Sequence, residues 1–571
     1  MALKTRTARR DDELAAVRAA GRTTVLIIGA GINGISLFRD LALQGVDAVV
    51  VDRSDFASGA SSASSHMVHG GIRYLENGEF RLVRESVHER NGLLRIAPHY
   101  VKPLRTTIPI YSTFSGLLAA PLRFLRHTSG QPQERGAVLI KAGLMMYDLF
   151  SRDGGAVPRH RFLGRRESLK ELPALDPDIK YTATYYDASM HDPERLALDV
   201  LQDGRSANSA SYALNYVEAI RRDSDAVVLR DRESAEEFTI RADVVVNTSG
   251  PWTDLTNDAL GYETRFMGGT KGSHIVLDHP ELLAATQGRE IFFEHSDGRI
   301  VLIYPLKGRV LVGTTDIDAD PREPARCTEE EIDYFFALIK HVFPAIPVDR
   351  EQIVYRYSGI RPLPRHEDTA PGFVSRDYRI EVDPGAAVPT LSLVGGKWTT
   401  FRALGETLAD RVLDLLGRAR SVSTKDLPIG GGHGFPRTVR ARASWLQTNL
   451  AGADESRAEQ LLVRYGTRAA EVWAHIEQEP EDHPLVGGAL SLRELEWMVE
   501  DELVVRLADV IMRRTNIAFV GGVTAEVLEE IADALAPLMG WSDDRREAEI
   551  EATVQLLNDA HGLTLTAPAH G

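Results

Sequence analysis

The sequence predicts an α/β fold: a parallel-sheet domain assembled from separated segments, a second region rich in short strands, and a helical domain that completes the chain. Three observations support this prediction. A buried strand, a glycine-rich turn and a helix follow one another near residue 25. Two further segments, near residues 244 and 391, place a glycine-containing turn directly after an apolar strand. Helix signals then dominate beyond residue 430.

Length, composition and charge limit the classes of protein that the chain could represent. Its 571 residues suffice for about three or four domains of ordinary size. Hydrophobic residues make up 43% and charged residues 26%, which favours large buried cores over a disordered chain. The net charge of −16 opposes nonspecific nucleic-acid binding, so no nucleic-acid partner is predicted. An anionic ligand therefore requires a local basic pocket.

Cysteine content and apolar runs bear on the compartment and on membrane insertion. Cys327 is the only cysteine, which excludes intrachain disulfides and Cys-cluster metal sites and fits a reducing, cytoplasmic location. Residues 1–21 are charged and lack the apolar core of a secretory signal, so a frayed N-terminal extension is expected. The apolar stretch Thr23–Phe38 is interrupted by glycines and is shorter than the ~20 residues that span a bilayer. No transmembrane helix and no metal site are predicted.

The first element is a βαβ unit over residues 22–51. The apolar run Val25–Ile28 is typical of a strand buried on both faces, and a GxGxxG turn, residues 29–34, follows it at once. Apolar residues then recur at helical spacing until Gly45, and a second strand follows over Val46–Val51. This context makes the glycine turn a much stronger signal than the motif alone.

The residue types in this unit match a dinucleotide site. Gly29 permits the tight turn, Gly31 lets a pyrophosphate approach the backbone, and Gly34 allows close packing of the helix. Asp52 ends the second strand 18 residues beyond Gly34, where its carboxylate can accept hydrogen bonds from an adenosine ribose. The alternative is a purely structural turn. These residues do not by themselves distinguish NAD from FAD.

A serine-rich segment beyond the second strand favours FAD. Residues 58–65 supply closely spaced hydroxyls and amides suited to further phosphate and ring contacts. The alternative is a flexible serine linker, although polar residues continue from His66 to Tyr74 without the start of a new domain. The predicted cofactor ligands in this part of the chain are Asn33, Ser61, Ser62, Ser64, Ser65, His69 and Gly70.

The same region resembles the FAD-dependent glycerol-3-phosphate dehydrogenases. The resemblance runs from about Val25 to Arg402 and rests on motifs at residues 61–65 with 69–75, 247–252, 271–274, 313–316, 358–363, 375–378 and 395–400. Residues 507–510 and 513–515 are similar to the family's helical C-terminal domain. Two departures are small. Asp52 stands where Glu is commoner, and Ser249 stands where Ala or Thr is frequent.

The resemblance implies a discontinuous Rossmann-like FAD-binding domain, an antiparallel-sheet substrate or cap domain, and an α-helical C-terminal domain. The predicted limits are 1–21 for the extension; 22–111, 187–262 and 389–427 for the FAD domain; 112–186 and 263–388 for the cap; and 428–571 for the helical domain. Capping boxes predict helix starts at Thr328, Ser456 and Ser491. Gly430–Gly432 reads as a hinge.

The implied reaction is oxidation of sn-glycerol 3-phosphate to dihydroxyacetone phosphate, a step of glycerol metabolism, and it requires a base and support for negative charge on the flavin. Lys397, with the N-terminus of a helix that starts near Thr399 and Thr400, is predicted to supply that support. The base candidates are His69 and His274, of which His274 is preferred. Ordinary capping and structural histidines are the alternatives. Gly250 and Trp252 complete the predicted cofactor contacts.

A phosphorylated substrate needs arginines in an acidic chain. By resemblance, Arg361 and Arg376 are phosphate ligands, although each could instead form a surface ion pair. Arg73, Tyr74 and Thr314 match positions that line the substrate site, and Arg73 would polarise the reacting oxygen. Backbone capping or core packing is the alternative for these three.

The family's dehydrogenases pass electrons to membrane quinone. Residues 117–127 interleave apolar and basic side chains, which is consistent with peripheral contact with the inner face of the cell membrane, and equally with a packed cap-domain loop. Two other functions stay open: an oxidase that reduces oxygen to hydrogen peroxide, and a non-catalytic flavin-binding sensor or scaffold. A homodimer is also left open.

Overall fold

The computed structural model describes residues 9–71, 80–113, 136–151, 157–294, 300–365, 377–383, 388–479 and 482–566. The strands are β1 (Arg22–Ile28), β2 (Ala48–Val51), β3 (Met67–Val68), β4 (Val101–Ile110), β5 (Arg161–Gly164), β6 (Tyr181–Met190), β7 (Tyr212–Leu214), β8 (Val217–Asp223), β9 (Ala226–Asp231), β10 (Glu237–Asn247), β11 (Thr270–Leu277), β12 (Glu290–Glu294), β13 (Ile300–Leu306), β14 (Arg309–Gly313), β15 (Ile317–Asp318), β16 (Ile353–Arg361), β17 (Arg379–Asp383), β18 (Thr390–Val394), β19 (Pro484–Leu485) and β20 (Leu490–Ser491).

The α-helices are α1 (Arg10–Ala20), α2 (Ile32–Leu43), α3 (Phe80–Ile96), α4 (Ala137–Ser151), α5 (Arg165–Glu171), α6 (Pro193–Ala207), α7 (Thr253–Ala259), α8 (Pro280–Ala285), α9 (Glu329–Val342), α10 (Phe401–Leu415), α11 (Val439–Asn449), α12 (Glu455–Tyr465), α13 (Ala469–Ile476), α14 (Leu492–Glu500), α15 (Leu507–Asp509), α16 (Ala525–Met539) and α17 (Asp543–His561). A π-helical turn, Val510–Arg514, continues from α15.

The first sheet has the order β17-β18-β10-β1-β2-β7, and its central strands are parallel. Ile28 at the end of β1 lies between Val51 of β2 and Asn247 of β10. The three segments that the sequence analysis assigned to one sheet therefore do form it. Because carboxyl ends of parallel strands meet at one edge, the turns after β1, β2, β10 and β18 all open there.

Helices cover both faces of this sheet. On one face, α2, α6 and α10 pack on it through buried residues such as Phe38, Leu201 and Leu404. On the other face, Leu14 and Val17 of α1 contact the sheet core. The prediction of a frayed extension over residues 1–21 was therefore wrong for residues 10–20.

The missed helix has a clear physical basis. Leu14 and Val17 are three residues apart and lie on one helical face, although charged residues surround them in the sequence. Glu13 on the same helix is buried and pairs with the buried Arg205 at 2.6 Å, and it accepts the amide of Ala213 at 3.0 Å. A buried ion pair between distant segments is invisible to local charge patterning.

The second sheet is mixed, with the order β15-β11-β14-β13-β12-β4-β6-β3, and β16 pairs with β11. One face packs on α9 through Phe335 and Ile339. The other carries Val276, Leu302 and Leu311 against the C-terminal helices. Strand β4 belongs to this sheet, because it pairs along its whole length with β6. Residues 101–110 had been assigned to the FAD domain, so that assignment was wrong for the strand.

The helix caps agree with the sequence analysis at two of three positions. Thr328 and Glu331 form the predicted capping box of α9, and the Ser491 hydroxyl accepts the amide of Glu494 at the start of α14. At α12, however, the cap is Asp454, which accepts the amide of Arg457 at 3.0 Å. The predicted Ser456 cap is wrong because an Asp two residues earlier satisfies the same helix end.

Gly430–Gly432 is a packed turn and not a hinge. Gly431 and Gly432 are buried, and the amide of Gly431 donates to Asp199 Oδ2 at 3.0 Å. A β carbon on Gly431 would overlap the carbonyl oxygen of Tyr465. The glycines allow close approach of two backbones, which a sequence cannot distinguish from flexibility. Among the helices of the described ranges, none has the length and apolarity needed to cross a bilayer.

Candidate active site

The turn after β1 leaves no space for side chains. Gly29 has φ of 104°, and a β carbon there would lie 2.7 Å from the backbone nitrogen of Ser249. A β carbon on Gly34 would overlap the carbonyl oxygen of Gly29, and the Thr248 hydroxyl donates to that carbonyl at 2.8 Å. The backbone of α2 therefore begins directly against the strand, and its first amides point out of the edge of the sheet.

Asp52 stands beside this turn. Its Oδ2 accepts the amide of Ala30 at 2.8 Å, and its Oδ1 accepts the amide of Ser54 at 2.9 Å. Desolvation of the carboxylate outweighs these amides and raises the pKa of Asp52 to about 6. The predicted ribose ligand is thus held by backbone at the edge of the glycine turn.

The serine segment divides into two kinds of residue. Ser61 Oγ accepts the amide of Ile32 at the start of α2, at 3.0 Å, and Ser65 Oγ is 2.8 Å from His274 Nε2. Ser62 donates to the carbonyls of its own loop, and Ser64 accepts the amide of His66 at 3.3 Å. Ser61 and Ser65 connect the loop to the two halves of the site, whereas Ser62 and Ser64 shape the loop itself.

The opposite wall of the cleft comes from the segment after β18. A β carbon on Gly396 would overlap the side-chain amide of Asn33, and Trp398 Nε1 donates to the carbonyl of Ser61 at 2.9 Å. Thr399 and Thr400 are buried, and the Thr400 side chain does not cap α10. Lys397 is half-buried in the same turn. The start of α10 therefore presents backbone amides and a nearby cation.

These residues fit a dinucleotide. Asn33 Oδ1 is buried and has no hydrogen-bond partner among the described residues, and an orphaned buried acceptor in a polar cleft indicates a missing donor. The glycine cradle lies on one side of it and the amides of α10 on the other.

Gly250 and Trp252 form the outer rim. Gly250 has φ of 63° and opens a 3₁₀ turn. The Trp252 indole donates to the carbonyl of Pro321 at 2.8 Å, and the Arg53 guanidinium lies 4.9 Å from its ring centre. A β carbon on Gly59 would lie 2.9 Å from the Trp252 ring. The indole thus covers the start of the serine segment.

His274 lies on β11 and is 2% exposed. Its ring stacks on Tyr357 at 4.8 Å between centres, and Gly313 on β14 leaves the space that the ring occupies. Desolvation, assisted by the positive charge of Arg361, holds the pKa of His274 well below its ordinary value. The imidazole is therefore neutral at physiological pH and can accept a proton. Within the described ranges its buried Nδ1 has no hydrogen-bond partner, whereas Nε2 is hydrogen-bonded to the Ser65 hydroxyl.

Arg361 ends β16, opposite Thr270 at the start of β11. Its Nη1 pairs with Asp316 at 2.7 Å, and its Nη2 donates to Thr314 Oγ1 at 3.0 Å. Gly272, two residues before His274 on the same face of β11, makes room for the guanidinium. The motifs at residues 271–274, 313–316 and 358–361 are thus brought together because β14 and β16 flank β11.

His69 and Gly70 follow β3. The amide of Gly70 donates to Asp187 at 2.8 Å, and a β carbon there would overlap the Tyr147 hydroxyl. The buried Arg90 pairs with the same carboxylate at 3.0 Å. Gly70 is therefore anchored in a buried polar network, and His69 is half-buried next to it. Arg73, Tyr74, Arg376 and residues 117–127, all assigned roles above, lie outside the described residues.

Sequence reasoning missed two contributors to this site. Trp398, quoted only as part of a motif, joins α10 to the serine segment. Asp55, three residues beyond Asp52, is fully buried and pairs with Arg514 from the C-terminal domain at 2.6 Å. The Arg513-Arg514 pair in an apolar context was the available signal, because adjacent arginines there require a buried anion.

Comparison with known proteins defines the class first. Residues 24–411 match the family described as FAD dependent oxidoreductase, and residues 422–546 match the C-terminal domain of alpha-glycerophosphate oxidase. With the glycine cradle and Asp52, this makes the chain an FAD-dependent oxidoreductase.

Individual relatives indicate which group of FAD-dependent oxidoreductases the chain belongs to. A glycerol-3-phosphate dehydrogenase of Synechocystis is 32% identical over 92% of this chain and 95% of the relative. A D-erythritol 1-phosphate dehydrogenase of Brucella abortus is also 32% identical, over 86% and 94%. The crystal structure of the glycerol-3-phosphate dehydrogenase from Bacillus halodurans complexed with FAD shares the fold, with a TM-score of 0.73, 24% identity, and coverage of 96% and 98%. The chain belongs to the FAD-dependent glycerol-3-phosphate dehydrogenase family.

The raised pKa of Asp52 gives FAD binding a pH dependence. The charged carboxylate accepts a ribose hydroxyl more strongly than the neutral acid does, so we expect FAD affinity to fall as pH falls through about 6. Between pH 7 and pH 5 the dissociation constant should rise about tenfold. Titration of the flavin-stripped protein with FAD at each pH measures the dissociation constant. Asp52→Asn should bind FAD more weakly with little change over this range; the same pH dependence in the variant would assign the titration to another group.

Proposed function

We propose that the protein oxidises sn-glycerol 3-phosphate to dihydroxyacetone phosphate and passes the electrons to membrane quinone. The observation that carries the proposal is that a neutral base, His274, and a cation, Arg361, lie on the paired strands β11 and β16, beside the serine segment of the cofactor cleft. When bound, FAD supplies a two-electron acceptor for the hydride of a carbinol carbon. The side chains of this chain must supply the rest.

Substrate binding depends on a local cation in an acidic chain. Arg361 is held in place by Asp316 and Thr314, so its planar fork is ordered before a phosphate arrives. Asp316 offsets part of the positive charge, and a dianionic phosphate therefore needs additional cations. Arg73 and Arg376 are the proposed sources, with Tyr74 and Thr314 at the walls.

The proton of the reacting hydroxyl needs an acceptor. Nε2 of His274 and the hydroxyl of Ser65 form a dyad 2.8 Å long at the junction of the two domains. Because the imidazole is neutral, the dyad accepts a proton without first losing one. The Tyr357 ring stacks on the His274 imidazole and holds the imidazole in one orientation. His69 is the alternative base. Lys397 and the amides at the start of α10 provide positive potential on the other side of the cleft.

A four-carbon polyol phosphate is the second candidate substrate, since one relative that is 32% identical is a D-erythritol 1-phosphate dehydrogenase. The two share the phosphate and a secondary alcohol and differ in chain length. One anaerobic experiment separates them. Glycerol 3-phosphate should bleach the flavin absorbance, D-erythritol 1-phosphate should do so more slowly, and free glycerol should do so only very slowly. Bleaching by none of them would favour a flavin-binding sensor or scaffold.

The acceptor is tested separately. A quinone-linked enzyme should reduce a soluble quinone analogue and produce little hydrogen peroxide in air, whereas an oxidase would form peroxide in proportion to substrate. For residues 117–127 we propose peripheral contact with the membrane. Co-sedimentation with anionic vesicles at low salt, lost at high salt, would support it.

The phosphate role of Arg361 predicts a substrate-specific defect. Arg361→Lys keeps a charge but loses the fork, so we expect the KM for glycerol 3-phosphate to rise roughly 10- to 150-fold while slow turnover of free glycerol is unchanged. Steady-state kinetics with both substrates measure the difference. Arg356→Lys, on the same strand but paired with Glu329, is the control and should leave both constants unchanged. Equal effects of Arg361→Lys on both substrates would remove the phosphate role.

The base role of His274 predicts a slow reductive step. His274→Ala should bind FAD normally, and its flavin reduction in anaerobic stopped flow should slow by about 10²- to 10⁴-fold. His279→Asn is the matched control, because His279 is also buried in this domain but bonds to Pro347 and caps α8. Flavin reduction at the wild-type rate in His274→Ala would transfer the role to His69.

A further inference from the structure

Asp55 is the centre of a buried ion-pair cluster outside the residues discussed for catalysis. Its carboxylate is fully enclosed. Arg514 donates to Oδ2 at 2.6 Å and to Oδ1 at 3.0 Å, Arg513 donates to Oδ2, and Asn215 donates to Oδ1 at 2.9 Å. Burial alone would raise the pKa of Asp55, but the two guanidinium groups outweigh it and hold the pKa below its ordinary value.

The two arginines come from the C-terminal domain. They end the π-helical turn Val510–Arg514, which places adjacent side chains toward one carboxylate. Arg513 also pairs with Asp509 at 2.7 Å, and Asp509 accepts the Tyr216 hydroxyl at 2.6 Å. Two carboxylates thus pair with two guanidinium groups, and the Glu502 carboxylate lies 3.9 Å from Arg514.

Two sets of contacts connect the cluster to Asp52, the predicted ribose ligand. On one side, Asp55 follows Asp52 by three residues, and the amide of Ser54 between them donates to Asp52 Oδ1. On the other, the amide of Tyr216 donates to the carbonyl of Ser54 at 3.1 Å, and Val217 donates to the carbonyl of Asp52 at 2.7 Å. The segment 52–55 is therefore clasped between β7–β8 and the π-helical turn.

Both cations that pair with Asp55 come from the C-terminal domain. Without Arg513 and Arg514, the buried Asp55 would carry an uncompensated charge and would turn toward water. That movement would pull on the chain that fixes the orientation of Asp52. Within the described ranges, no hydrogen bond or ion pair joins this cluster to α10 or to His274, which form the flavin end of the cleft.

We propose that Asp55 is a positioning residue through which Arg513 and Arg514 hold Asp52 against the adenosine ribose, so that the C-terminal domain secures the adenosine half of FAD. The proposal rests on Asp52 as the ribose ligand, which the Asp52→Asn titration tests by itself. It gives the helical domain a task in cofactor retention that is separate from substrate choice and electron acceptor.

The test compares probes for the two halves of the cofactor. Full-length Arg514→Lys, stripped of flavin, is titrated with FAD, with ADP and with riboflavin 5′-phosphate. Lysine keeps the charge but cannot form the bidentate contact, so the dissociation constants for FAD and ADP should rise about tenfold. The constant for riboflavin 5′-phosphate should not change, because this ligand lacks the adenosine half.

Arg468→Lys is the matched control. Arg468 is half-buried and joins the C-terminal region to α6 through Asp203 at 2.7 Å, and within the described ranges no hydrogen bond or ion pair joins it to segment 52–55. FAD affinity should be unchanged in this variant. If Arg514→Lys does not fold, Tyr216→Phe decides, since it removes one hydroxyl and should raise the FAD and ADP constants about threefold. Unchanged FAD affinity in the folded variants, or equal weakening of riboflavin 5′-phosphate, would overturn the proposal.

Discussion

The site depends on one close approach, in which the serine segment passes between the two sheets. A β carbon on Gly31 would lie 3.3 Å from the Ser61 hydroxyl, and one on Gly359 of β16 would overlap Ala63. The Tyr357 hydroxyl donates to the carbonyl of Ser64 at 2.8 Å. Because the turn after β1 and strand β16 both contact this segment closely, the segment fixes the position of the cofactor cleft relative to the second sheet.

The charges that border the cleft are opposite in sign to the net charge of the chain. The protein carries −16 overall, yet the cleft is bordered by Lys397, Arg361 and the amides of two helix starts. Asp316 pairs with Arg361 at 2.7 Å and limits its charge. Such pairing keeps the guanidinium ordered at little cost in the absence of substrate, and it makes binding depend on several weak cations instead of one strong one.

A feature of the structure can be predicted from the sequence when the residues that form it are close together in the chain. The βαβ unit, the helix over 329–342 and the segments of the parallel sheet follow from local periodicity and caps, and these predictions were confirmed. The contact of His274 with Ser65 was not predictable, since residues 209 apart meet only through strand pairing. For the same reason α1, the packed Gly431 and the Asp55 cluster were missed, because their partners lie in distant segments.

Arg361 lowers the proton affinity of the His274 base, and the proposed substrate would offset that contribution. Desolvation and Arg361 together depress the pKa of His274, so the free protein holds a neutral but weak base. A bound phosphate would place about two negative charges next to Arg361 and cancel its effect on the imidazole. Desolvation, the larger cause of the depressed pKa, would remain, so the proton affinity of His274 would rise only in part, and only when a phosphorylated alcohol is bound. An unphosphorylated alcohol would meet the weaker base, so the same phosphate that provides binding energy also tunes the proton acceptor.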